Sequence, residues 1–153
     1  TPSSMKTIFE PSALLELEKR IASLTPQSQR QWGKMEVDQM VAHCAETMLV
    51  VLDRKKIPRS FLGYVLGPFF KSSYYNDSPV SKNSPTAKEF VITQRTDLDA
   101  EKTRLLDLVR EFSKGGEANC TKEPHAFFGK LTPEQWGKAM YKHLDHHLKQ
   151  FGA

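Results

Sequence analysis

Residues 132–151 read Thr132-Pro133-Glu134-Gln135-Trp136-Gly137-Lys138-Ala139-Met140-Tyr141-Lys142-His143-Leu144-Asp145-His146-His147-Leu148-Lys149-Gln150-Phe151. The opening is a helix start: a threonine to cap, a proline at the first helical position, and a glutamine at the third to return a hydrogen bond. With a helical step of about 100° per residue, Trp136, Leu144, His147 and Phe151 fall within about 40° of Met140, and His143 within about 60°. Asp145, Lys142 and Lys149 fall on the opposite side, and His146 lies well away from the stripe centre, as a surface or rim residue. The spacing predicts a helix over 133–150 that turns two imidazoles, four residues apart, inward among its apolar side chains.

Three further segments carry the same period. Leu14, Leu17, Ile21 and Leu24 predict a helix over 11–24, ended by Thr25-Pro26. The segment 37–55 is apolar on nearly every side (Met40, Val41, Cys44, Met48 and the run Leu49 to Leu52), which marks a buried helix. Leu105, Leu108, Val109 and Phe112 form one stripe over 98–114, with Asp97 or Asp99 to cap its start and Gly115-Gly116 to stop it. No alternating strand pattern of comparable strength appears, although Phe90-Val91-Ile92 can hold a short extended piece. The expected fold is all-α, a single four-helix-bundle domain over residues 1–153, with Leu17, Ile21, Met48, Val51, Leu105, Val109 and Met140 in a common core.

The connection from Ile57 to Thr96 is long for such a fold. Its first half, Phe61-Leu62-Gly63-Tyr64-Val65-Leu66-Gly67-Pro68-Phe69-Phe70, is aromatic-rich and is expected to fold back as a packed flap, a dimer contact or a lid.

The chain has 153 residues and a formal net charge of +4, from 22 basic and 18 acidic residues spread along its length. That falls short of a nucleic-acid footprint and leaves small anionic molecules as partners. The dense basic run Arg54-Lys55-Lys56 reads as a solvated helix end. Residues 1–10 carry no hydrophobic run of the kind a signal peptide needs, and no apolar stretch is long enough to span a bilayer, so neither export nor a membrane is expected. Two distant cysteines, Cys44 and Cys120, make neither a disulfide framework nor a metal motif and suit the reduced cytoplasm.

Two readings compete for the inward pair His143 and His147. Each can be a core histidine satisfied by a carbonyl or carboxylate. A buried polar group left unsatisfied costs about 1–3 kcal/mol, and two on adjacent turns of one face match the spacing at which a helix offers two imidazoles to one ion. The zinc-peptidase signature is absent, because Leu144 stands where that motif has its glutamate. A third ligand is needed, and the second helix supplies His43, on a row with Met40, Thr47 and Val50. Glu46 lies about a third of a turn round from that row, Cys44 reads as a small core residue, and His125 lies on the loop entering the last helix, within reach of a pocket mouth.

Taken together, Trp32-Gly33-Lys34-Met35, Asp38-Gln39-Met40-Val41-Ala42-His43-Cys44, Phe128-Gly129-Lys130-Leu131-Thr132 and the terminal His143-Leu144-Asp145-His146-His147-Leu148-Lys149-Gln150-Phe151-Gly152 resemble one branch of the DinB-like superfamily. The resemblance runs from the first helix to the C-terminus. It implies a four-helix bundle in which His43, His143 and His147 bind a divalent metal, zinc or nickel, and it implies a possible homodimer. Some members are thiol-dependent transferases or isomerases, so transfer or addition of a low-molecular-weight thiol to a small-molecule substrate is the expected activity. A metal-dependent hydrolase and a non-catalytic metal-containing binding or stress-response module are the alternatives. Glu36, where a capping threonine or serine is usual, and the order Pro124-His125 depart from the branch pattern.

Overall fold

The computed structural model describes residues 6–82 and 87–153. Half of the chain start read above for a signal peptide, residues 1–5, lies outside them. Among the described residues the chain is all-helical, with no named strand and one isolated bridge between His125 and Gly129. Five α-helices follow one another: α1 (Pro11–Ala22), α2 (Val37–Val51), α3 (Phe61–Phe70), α4 (Leu98–Gly115) and α5 (Pro133–Gln150).

Two of the long helices, α5 and α4, start at the caps read in their sequence. Thr132 accepts from the Gln135 amide while the Gln135 side chain accepts from the Thr132 amide, at 3.1 and 3.0 Å. At α4 it is Asp97 that caps, accepting from the Ala100 amide. Glu36 takes the cap position of α2, and the Gln39 side chain accepts from its amide at 2.8 Å.

The packing is cyclic: α2 lies against α4 and α5, and α1 against the same two. One apolar core runs between these four helices, and Leu17, Ile21, Met48, Val51, Leu105, Val109 and Met140 are all buried in it. α2 is buried on nearly every side, as its composition requires. Two predicted ends run past the observed ones: α1 stops at Ala22, and α2 stops at Val51, with Asp53 at a positive φ of 61° turning the chain away.

The connection between α2 and α4 contains the element that periodicity does not predict. α3 has no charged side chain to mark an outer face, and it carries two glycines and a proline. It forms because Ser60 caps it, accepting from the Gly63 amide, and because its inner side docks on the loop before α5. Phe90 ends a short 3-10 turn (Lys88–Phe90), and Val91 is extended without a strand partner. The end of the connection is fixed to α2 by Asp38, only 2% exposed, which accepts two hydrogen bonds from Arg95 Nε and Nη2 at 3.1 and 2.9 Å and one from the Thr96 amide at 2.8 Å. Burial alone would raise that carboxyl's pKa; the Arg95 and Thr96 donors outweigh it and hold it below the usual range.

Candidate metal centre

α2 and α5 run antiparallel: the Thr121 amide, shortly before α5, donates to the Val51 carbonyl, and the Gln31 amide, shortly before α2, donates to the Gln150 carbonyl. This arrangement sets His43, midway along α2, opposite the last two turns of α5. The Nε2 atom of His43 lies 3.0 Å from Nε2 of His143 and 3.1 Å from Nε2 of His147. Two nitrogens held about 2.0–2.1 Å from one ion, at angles near 90–110°, are themselves about 2.8–3.4 Å apart. All three candidate ligand atoms lie within 4.8 Å of one another.

The tautomers follow from the partners. His43 Nδ1 lies 2.8 Å from the Phe90 carbonyl oxygen, which can only accept, so the proton is on Nδ1. His147 Nδ1 lies 2.9 Å from Gln150 Oε1. The orientation of that amide is fixed in turn, since Gln150 Nε2 donates to the Trp32 carbonyl at 2.9 Å. His43 and His147 therefore present bare Nε2 lone pairs to one another. Lone pairs at this separation do not form a hydrogen bond, and His143 can bring at most one proton between them. A divalent cation is the group that satisfies all three nitrogens at once, so the donor set fits one.

Electrostatics keep the rings in the ligating form. Burial lowers the pKa of each imidazole, against the Phe90 carbonyl at His43. Burial first and then the neighbouring rings hold His143 well below its ordinary value, and burial and His43 push His147 down to about 3. Among the described residues no carboxylate joins the cluster. Glu46 binds Lys55 and Arg104, and Asp145 binds Arg20 and Lys149 on the far side of α5. Three neutral ligands leave the charge of a dication uncompensated, so a further ligand there is favoured when anionic. His43 is buried, whereas His143 and His147 are half-buried.

His146 does stand apart, on the rim: its ring packs at 5.3 Å against Trp32, over which Lys82 Nζ sits at 4.8 Å. His125 is not in the cluster. Its Nδ1 accepts from the amides of Phe127 and Phe128, both at 3.0 Å, and its ring is packed among Tyr74, Phe128 and Trp136. Lys142 corrects the helical-wheel reading. It is 6% exposed rather than outward, because the chain after α3 lies across it and takes its ammonium on the Ser73 carbonyl and Asn76 Oδ1. Cys44 is buried, with its thiol directed to Met40 Sδ. Arg54 and Lys55, read as part of a solvated run, bind Glu111 and Glu46.

Gln150 and the Phe90 carbonyl are the parts that sequence reasoning missed. Gln150 was detectable, as a polar residue three positions after His147 on the same side of the helix. A backbone carbonyl 47 residues from its histidine leaves no trace in the sequence.

No curated protein and no solved structure is significantly similar to this chain. A family model does match, over residues 5–153 and so almost the whole sequence: the chain belongs to the family described as protein of unknown function (DUF1569).

Proposed function

We propose that α1, α2, α4 and α5 form the four-helix bundle of the DinB-like superfamily, and that the chain is a divalent-metal-dependent enzyme that transfers or adds a low-molecular-weight thiol. One observation carries this reading: the Nε2 atoms of His43, His143 and His147 converge, two of them with their protons pinned on the opposite ring nitrogen. His43, His143 and His147 would hold the ion, zinc or nickel by the preference of imidazole. Bound there, it supplies a positive centre that lowers the pKa of a coordinated thiol and keeps it as thiolate.

The chain's own residues then have separate tasks. Phe90 and Gln150 orient the rings, and the absence of a carboxylate in the cluster favours an anionic ligand. Trp32 and His146 form the rim past which a small-molecule substrate enters. The thiol comes from outside in this reading, since neither Cys44 nor Cys120 belongs to the cluster and burial raises the pKa of both. Hydrolysis is the weaker alternative, since the carboxylates nearest in sequence, Glu46 and Asp145, are each held by two cations and neither serves as a base. Two buried free cysteines suit the cytoplasm as the place of action.

Metal analysis of untagged protein, followed by thiol-consumption assays with several thiols and electrophiles on metal-loaded and chelated samples, tests the proposal. Consumption is expected only in the loaded sample, and His147→Ala should abolish it. Equal rates in both samples would refute metal-centred transfer. A stoichiometric metal with no consumption of any pair would instead favour the binding module.

A further inference from the structure

α3 is unlike every other helix of the chain. Its only buried residues are Gly63 and Gly67. A Cβ at either would fall 2.4 or 2.3 Å from the Phe127 carbonyl oxygen, so the helix lies backbone-on-backbone against the loop before α5. Almost all its bulk is therefore directed away from the core. Phe61 is 83% exposed, Phe69 79%, Tyr64 63%, Leu62 57%, Val65 55% and Phe70 54%. Together they present on the order of 700 Å² of largely apolar surface, above the roughly 300–600 Å² of the largest patch on an ordinary monomer.

The segment that carries it is basic between Asp53 and Asp77. Residues 54–76 contain Arg54, Lys55, Lys56, Arg59 and Lys71 and not one carboxylate. Arg54 and Lys55 are engaged with Glu111 and Glu46. Arg59 donates to the His125 and Ala126 carbonyls and lies over the Tyr64 ring at 4.3 Å, whereas Lys56 and Lys71 have no carboxylate partner among the described residues. Cations thus flank both ends of a helix that has no charged side chain.

We propose that α3 docks this protein on an anionic lipid surface, with Phe61, Leu62, Val65 and Phe69 at the acyl boundary and Lys56 and Lys71 among the headgroups. An interfacial helix needs an apolar face, aromatic side chains and flanking cations, and α3 has all three. A second copy is the competing occupant, since the area would suffice for a dimer. Charge weighs against it: antiparallel pairing sets Lys56 beside the other copy's Lys71, parallel pairing sets Lys71 beside Lys71, and the bracketing acids are turned to the protein itself, Asp53 accepting from Thr121 and Asp77 lying by Lys142. Docking of this kind needs no spanning segment, and no helix among the described residues is long and apolar enough to cross a membrane.

The test is co-sedimentation of the full chain with vesicles of phosphatidylcholine alone or mixed with phosphatidylglycerol, alongside sedimentation velocity without lipid. The protein should bind the mixed vesicles, more weakly as salt rises, and bind neutral vesicles poorly. Phe61→Ser and Phe69→Ser, at positions too exposed to support the fold, should each weaken binding about tenfold or more. Lys56→Glu and Lys71→Glu should each weaken it about fivefold, on mixed vesicles only. No binding, equal binding to both vesicle types, or a dimer that Phe61→Ser dissociates while lipid goes unbound would overturn the proposal.

Discussion

His43 and His147 give their Nδ1 protons to oxygen acceptors and leave Nε2 bare, whereas His125 uses its Nδ1 lone pair on two backbone amides and keeps its proton on Nε2. All three rings are held neutral mainly by burial. What differs is the direction of the second nitrogen. In the cluster it faces other lone pairs, a geometry that is unfavourable unless a cation sits between them. At His125 the ring closes a tight loop whose Ala126 carbonyl accepts from Ser60 and whose amides it satisfies itself. Burial and a lowered pKa therefore do not identify a ligand histidine; the pinned tautomer does.

The largest expected effect separates the two environments directly. His43→Ala should lower metal affinity by more than the roughly 10–100-fold typical of losing an outer partner, while His125→Asn should leave metal content unchanged. Metal analysis after equilibrium dialysis measures both, with circular dichroism against chelated wild type to show that the fold persists. Equal metal loss in the two variants would erase the distinction.

The pH dependence of stability sharpens it from the other side. Burial first, and then the Arg59 charge, push the His125 pKa down to about 4, against an unfolded value of about 6.5. The unfolded chain therefore binds a proton that the folded ring refuses between those values. The stability concerned is fully present above pH ~6.5 and is lost as pH falls toward ~4, by about 3 kcal/mol at most. His125→Asn keeps an acceptor for the Phe127 and Phe128 amides and removes the titration. Urea unfolding of chelated protein across this window should show a shallower loss in the variant. Parallel curves would mean that His125 is not held neutral.

A smaller loss is expected when the ring orienter goes. Gln150→Leu removes the acceptor for His147 Nδ1 and the donor to the Trp32 carbonyl. Metal affinity should fall about 10–100-fold, as for other second partners of ligating histidines. A competitive chelator titration reads this, and an unchanged affinity would show that the tautomer is fixed by other means.

What the sequence made legible follows from these same contacts. The four long helices could be read because a buried stripe imposes a period and a cap imposes a residue type, as Thr132 and Gln135 do. The pair His143 and His147 could be read for the same reason, since both lie on the stripe, and His43 followed from its row on α2. α3 could not, because its stability comes from a close backbone approach at Gly63 and Gly67 rather than from an amphipathic face. Lys142 was misplaced for a related reason: the wheel gives its direction from α5 but not the chain that lies across it, supplying Ser73 and Asn76. Periodicity reports what a helix does to its own core, and it is silent about segments that are laid on afterwards.

His146 provides the finest discrimination, because it sits next to a cluster residue and differs from it only in direction. Its ring centroid is 5.1 Å from that of His147 and 5.3 Å from that of Trp32, yet it is absent from the convergent group. A half-buried ring on the rim, with no hydrogen bond to the three ligating candidates, contributes packing against Trp32 and little else. His146→Ala should therefore cost no more than about 1 kcal/mol of stability and leave metal stoichiometry intact. Thiol consumption, if the proposed activity is right, should be largely retained, with any change falling on KM as the rim opens. Loss of metal in His146→Ala would place the fourth imidazole on the ion and overturn the assignment of the site by helix face.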